Sequence, residues 1–230
     1  AQNLYTILMK KSPADLELML FHGRFTAGER QRIERLCLDA FDKRSITSLP
    51  NSRPRKAVVV ATQVVEQSLD LDFDFMISAI APIDLLLQRT GRLHRHNDRV
   101  RPEILQDPQV LVLLPDGASF GPTEKVYDRW ILIKTMEAIN AKEFLDIPAD
   151  LRQLIEFVYD DTPPPLDHPH RRDWIKMCQK RRDHEQEARR FLIPAPQDVS
   201  SILEEHWYED EEGGFMPVPA WEGTPYRYCF

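Results

Sequence analysis

The chain has 230 residues, 42% hydrophobic and 29% charged, with eight glycines and eighteen prolines, so it can bury a real core and is not disordered throughout. Thirty Lys and Arg against 37 Asp and Glu give a net charge of -7, which argues against a simple basic nucleic-acid binder. Glycine stands at about half its ordinary ~7% share, and the absence of any Gly-Lys dipeptide excludes a G-x-x-x-x-G-K-[ST] phosphate loop from this sequence.

Residues 2–11 read as a helix. Leu16 to Phe21 is a short apolar run suited to a buried strand, with a turn at His22-Gly23. Thr26-Ala-Gly-Glu29 matches a capping box, and Ile33, Leu36, Cys37, Ala40 and Phe41 follow as one apolar helical stripe. Ala57 to Ala61 (AVVVA) is a β-branched strand of the kind buried on both faces, leading into the polar loop TQVVEQSLD. Phe75 to Ala79 is the next strand, Pro82 opens a helix from Ile83 towards Gly91, and Val110 to Leu114 is a further strand. Strands alternating with helices predict a parallel α/β sheet with helices on both faces over residues 1–118.

Beyond 118 the pattern turns helical. Lys125 to Ala138 (Val126, Trp130, Ile133) and Leu151 to Tyr159 (Leu151, Leu154, Ile155, Val158) form a helical linker over 119–165, ending in the stiff Asp161-Thr-Pro-Pro-Pro165. Residues 166–230 hold a charged helix, Asp173 to Phe191, and an acidic stretch from Glu204 with a partly ordered end. Charge is asymmetric as well: residues 1–101 carry 16 basic and 12 acidic side chains, residues 102–230 carry 14 and 25, so the two parts are expected to do different jobs. Cys37, Cys178 and Cys229 lack any C-x-x-C spacing, which favours a reducing compartment over a disulfide or zinc framework. No apolar run approaches the ~18 residues of a bilayer span, and the first residues lack signal-peptide order. A soluble cytoplasmic protein with no membrane contact is the expectation.

Three segments sit at or after predicted strand ends, where open α/β sheets bind ligands. Gln88-Arg-Thr-Gly-Arg-Leu-His-Arg95 places Arg92 and Arg95 three residues apart on or just after a helix, and paired guanidinium groups suit a triphosphate. Taken alone, a solvated basic helix end explains it equally well. Thr62-Gln-Val-Val-Glu-Gln-Ser-Leu-Asp70 offers a hydroxyl for a phosphate and a carboxylate for a ribose, although a plain polar loop explains it better by itself. His22-Gly-Arg-Phe-Thr-Ala-Gly-Glu-Arg30 offers an exposed backbone and a helix start to a phosphate chain.

In this order and spacing the three segments resemble motifs IV, V and VI of superfamily 2 helicases. The longer run ATQVVEQSLDLDFDFMISAIAPIDLLLQRTGRLHRH is similar to the CRISPR-associated helicase-nuclease of type I systems, and VLVLLPDGASFGPTEKVYDRW to the I-E form of that effector. The resemblance implies a second RecA-like lobe whose first strand precedes this sequence. It implies Arg92 and Arg95 at the γ-phosphate, with Asp70, Gln88, Arg89 and Gly91 on the nucleotide side. Gly23, Arg24, Thr62, Gln63 and Glu66 would hold single-stranded DNA without reading its sequence; Glu66 and Asp84 could position DNA or arginines, and local structure explains them equally well. ATP with Mg is the implied cofactor, bound mainly by a first lobe with its own phosphate loop. No metal site is expected on this chain, where no His-Asp dipeptide of the nuclease type occurs. The implied partners are single-stranded DNA, the first lobe and nuclease domain of the same protein, and the CRISPR RNA-guided surveillance complex.

Ser68 stands where many relatives carry glycine, a small residue that keeps the role. RFLIPAPQDVSSIL resembles the start of the family's accessory C-terminal domain, expected over 166–230, whereas Trp221 to Phe230 does not resemble its continuation; with the first strand, the phosphate-loop lobe and the nuclease domain missing as well, the chain is expected to be a fragment inactive on its own. A DNA-repair or RNA helicase lobe carries the same motifs with different flanks. A docking module that hydrolyses nothing is the reading from another class. His94 and His96 are assigned orienting or surface roles, and His168 and His170 an exposed loop. Arg171 to Arg190 reads as a solvated helix with i to i+4 pairs.

Overall fold

The computed structural model describes residues 1–42, 53–66, 69–96, 99–117, 119–142 and 144–192, with the backbone of 207–209 and 215–217. Ser68 and most of 193–230, including the closing Trp221 to Phe230, lie outside the described residues. Two compact units divide the chain: residues 1–127 with 131–160, and residues 128–130 with 161–230.

The first unit opens with α1 (Gln2–Lys11), β1 (Glu17–Phe21), α2 (Ala27–Phe41) and β2 (Ala57–Ala61). Strands β1 and β2 pair in parallel, with Phe21 opposite Ala61. The predicted capping box starts α2: Thr26 Oγ1 accepts from the Glu29 amide at 3.4 Å, and the Glu29 carboxylate accepts from the Thr26 amide at 3.2 Å. Cys37, Ala40 and Phe41 then pack on Phe21, Val64, Leu69 and Leu71. Leu36, predicted in that stripe, is instead 48% exposed; Leu38 takes its place against the core. The helix is one-sided, and Leu36 sits at the margin of the buried arc.

After β2 the polar loop forms a short 3₁₀ helix, Gln63–Glu66, with Val64 buried beneath it. Then come β3 (Phe75–Ala79), α3 (Ile83–Thr90) and β4 (Gln109–Leu113), with β3 and β4 parallel and Ile77 opposite Leu111. The parallel α/β class holds. The sequence predicts one continuous sheet, whereas hydrogen bonding among the described residues gives two parallel pairs and an isolated bridge between Phe73 and Leu93. One face of β3 and β4 packs Val112 against Ile80, Leu86, Leu132 and Ile133. On the other, Phe75, Ile77, Leu111 and Leu113 are each at least 42% exposed.

Helix α4 (Arg129–Asn140) begins four residues later than predicted, because Gly121–Lys125 winds as a 3₁₀ helix with Pro at its start; Val126 is left outside and 58% exposed. Helix α5 (Leu151–Val158) buries Leu154 and Val158 as its spacing predicts, and the Tyr159 hydroxyl donates to Asp84 at the start of α3.

The second unit carries α6 (Arg171–Arg189). Its cations pair off the helix, Lys180 with Asp128 at 3.0 Å and Arg181 with Asp161 at 2.5 Å, in place of the predicted i to i+4 contacts. His168 is half-buried edge-on against Trp130, with ring centroids 5.5 Å apart, which corrects the exposed-loop expectation. Residues Trp207–Glu209 (β5) and Phe215–Pro217 (β6) pair antiparallel.

Candidate nucleotide and nucleic-acid site

The parallel register of β1 and β2 brings two predicted segments side by side at the strands' carboxyl ends. The Thr62 amide donates to Phe21 O at 3.1 Å, extending the ladder to the point where Gly23 and Arg24 turn outward. Gly23, Arg24 and Gln63 are exposed and Thr62 is half-exposed. A methyl group on Gly23 would rest 3.9 Å from Val64 Cγ1, an ordinary contact, so crowding does not require glycine there. His22 sets the turn from beneath: it is buried, stacked on Phe25, and accepts from the Arg24 amide at 3.2 Å.

Arg89 is predicted on the nucleotide side, and Glu66 on DNA, on arginines or in local structure. In the structure they hold each other. Arg89 donates through Nε and one terminal nitrogen to Glu66 Oε1 at 2.8 and 2.6 Å, and through the other to Ser78 Oγ at 2.8 Å. Both side chains are largely buried, so the pair fastens the 3₁₀ helix after β2 to α3.

Helix α3 stops at Thr90, and Gly91 closes it with ordinary right-handed angles and an amide bond to Leu87 O at 3.0 Å. Arg92 and Arg95 therefore lie past the helix, and i, i+3 helical spacing does not set their direction. His94 does: its φ of 45° is in the left-handed region, uncommon for a residue with a side chain, and bends the chain between the two arginines. The bend is held by the His94 amide on Phe73 O at 3.1 Å and its ring on Asp74 O at 3.1 Å.

Asp70, expected at a ribose, and Arg95, expected at a γ-phosphate, pair with each other, with Arg95 Nε 2.7 Å from Asp70 Oδ1 and His96 Nε2 3.3 Å from the same oxygen. About two-fifths of each charged side chain in the Asp70–Arg95 pair is exposed, which limits its worth to roughly 0–1 kcal/mol. Burial lowers the Arg92 guanidinium pKa, the like charge of Arg95 lowers it further, and Asp70 partly offsets both. Gln88 is half-buried on the last turn of α3.

Behind this loop lies a charge cluster that motif reading missed. Asp72 is fully buried and takes Arg101 through both carboxylate oxygens at 2.8 and 2.9 Å, Arg99 at 2.6 Å, and the Arg95 amide at 2.8 Å. Asp74 takes Arg53 at 2.8 Å and Arg101. The legible signal was the alternation Asp70-Leu-Asp-Phe-Asp74, followed by Arg99-Val-Arg101: carboxylates inside an apolar run need partners, and the nearest cations supply them. Asp42, Asp70 and His96 also bring one ligand atom each within 4.8 Å of one another. Arg95 on Asp70 and Arg99 on the Asp42 carbonyl already provide positive charge there, which disfavours a dication.

A family model described as CRISPR-associated nuclease/helicase Cas3, C-terminal, matches residues 1–98. The CRISPR-associated endonuclease/helicase Cas3 of Thermus thermophilus is 37% identical over 209 residues, covering 85% of this chain and 22% of that protein. The Escherichia coli Cas3 is 37% identical over 179 residues, covering 76% and 19%. Among solved structures, T. fusca Cas3 with ATP aligns at a TM-score of 0.77 and 35% identity, covering 86% of this chain and 23% of that one. A chain of a CRISPR RNA-guided surveillance complex in a pre-nicking state aligns at 0.72 and 34%, covering 86% and 24%. The chain thus spans about a fifth to a quarter of the length of these relatives.

Proposed function

The chain belongs to the Cas3-type helicase-nuclease C-terminal family, and on that premise we propose that it serves as the second motor lobe of an ATP-driven, single-stranded-DNA translocase in CRISPR type I interference. The observation that carries this reading is the convergence of Asp70, Arg92 and Arg95 on one loop, tied through Glu66 and Arg89 to the strand ends where Gly23, Arg24, Thr62 and Gln63 gather. Arginines with side-chain exposure and a fixed backbone fit a phosphate arriving from outside this lobe. Exposed strand-end hydroxyl, amide and guanidinium groups fit a nucleic-acid backbone read without regard to sequence.

In this reading MgATP is held mainly by a phosphate-loop lobe and supplies the phosphoryl group. Arg92 and Arg95 stabilise charge on its oxygens, Asp70 orients the ribose, and the Glu66–Arg89 link passes the change to the DNA-facing turn. ATP-bound and ADP-bound T. fusca Cas3 structures among the relatives support nucleotide binding, and the surveillance-complex match supports a complex as partner. The nuclease and its metals belong to another part of the protein, and the 230-residue chain alone hydrolyses nothing.

The test is ATP hydrolysis with and without single-stranded DNA, in the chain alone and in a polypeptide joining it to a phosphate-loop lobe. Changing Arg92 or Arg95 to Ala in the joined protein is expected to lower turnover about 10³-fold. Activity in the chain alone, or full turnover in the double variant, would refute the assignment.

A further inference from the structure

Asp72 sits two residues past Asp70, faces away from solvent, and grips the arginine loop by its backbone. Its Oδ1 accepts the Arg95 amide at 2.8 Å, and the Arg101 it binds through both oxygens reaches on to His96 O at 3.4 Å. The main chain beside Asp72 completes the grip: the Phe73 amide donates to Arg92 O at 2.8 Å, and Phe73 O accepts the His94 amide at 3.1 Å. Every residue from Arg92 to His96 except the buried Leu93 is thus fastened to the 72–74 segment or its partner Arg101, while the Arg95 guanidinium stays 39% exposed.

A buried cluster of this kind is poor evidence of stability, because well-packed apolar residues commonly do as well in its place. What such a cluster does supply is a fixed position. A reacting group displaced by about 1 Å can lose on the order of 10²-fold in rate.

We infer that Asp72, by holding the Arg95 amide and the Arg101 that reaches His96 O, is a positioning residue for Arg95 of the Arg92–Arg95 pair: it sets where that guanidinium stands and touches no ligand itself. This rests on the proposed role of those arginines at the nucleotide. It predicts a loss confined to turnover.

The experiment uses the joined protein and the isosteric variant Asp72→Asn, measured for kcat, for the KM of ATP, and for single-stranded-DNA affinity without nucleotide. The expected result is a kcat about 10²-fold lower, with KM and DNA affinity within about twofold, less than 0.5 kcal/mol at RT of 0.59 kcal/mol. The decisive readout is the cycle with Arg95→Ala. A residue acting through Arg95 costs nothing further once Arg95 is gone, whereas an independent structural effect multiplies. Arg101→Lys, which keeps the charge and gives up the simultaneous hold on Asp72 through one terminal nitrogen and on Asp74 through the other, serves the same cycle if Asp72→Asn does not fold. Multiplying effects, or wild-type kcat in the positioning variant, would overturn the inference while leaving the arginine reading intact. Full turnover in Arg95→Ala would overturn both.

Discussion

Cys37 has no exposed surface and packs inside the α2 core, so burial pushes its thiol from an ordinary 9.0 up to about 11. The folded chain keeps this proton where the unfolded chain has released it. Stability on this account is unaffected below the ordinary value and falls as pH climbs from there towards 11. Urea melts at a series of pH values are expected to show that alkaline loss, and Cys37→Ala to lack it; an identical slope in the variant would contradict the burial account. His94 shows the same dependence of chemistry on place. Its sequence neighbours invite a catalytic reading, yet its backbone angle and two carbonyl contacts make it the bend on which the arginines are hung. An orienting or surface role was expected of His94, but no residue-type pattern encodes a positive φ at histidine, so the bend itself was not legible. Asp70, Arg92 and Arg95 were singled out from their own segments, but the contact of Arg95 Nε with Asp70 Oδ1 arises only in the fold. An arginine was one of the expected partners of Glu66, but that it is Arg89 emerges only when the 3₁₀ helix docks on α3.

At the scale of elements, the reading was strongest where a local rule fixes geometry. AVVVA and FMISA are strands at the predicted residues, and the Thr26–Glu29 box opens α2 as its spacing requires. The box makes a pH prediction. The Thr26 hydroxyl and amide hold the Glu29 carboxyl below its ordinary value of 4.5, so its support for the helix is present above that value and lost as pH falls through the lowered one. Thr26→Ala is expected to cost about 1 kcal/mol at neutral pH and to remove this acid-side dependence. Equal acid sensitivity in wild type and variant would sink that assignment. Boundaries slipped where two rules compete. Val126 continues an apolar spacing that suits a helix, but the Gly-Pro start of the preceding turn winds it as 3₁₀, and α4 begins only at Arg129. Likewise the cations of α6 find carboxylates off the helix, which no spacing along the helix reveals.

Across the whole molecule, class and strand direction follow from the alternation of elements, while the division of the strands into two pairs depends on contacts between distant segments. One face of β3 and β4 leaves Phe75, Ile77, Leu111 and Leu113 uncovered, a contiguous apolar surface of the kind soluble chains rarely expose. Light scattering of the isolated chain is expected to show concentration-dependent association that Ile77→Lys weakens at least several-fold with little change in thermal midpoint. A chain that stays monomeric at all concentrations would refute this. The pairing has a further consequence. The bridge between Phe73 and Leu93 ties the segment entering β3 to the loop after α3, and the contacts of Asp72 and Asp74 with Arg53, Arg99 and Arg101 surround it. None of these contacts is part of the β1–β2 or β3–β4 ladder. The loop from Arg92 to His96 is thereby anchored to the strand entrance and not only to the helix it follows.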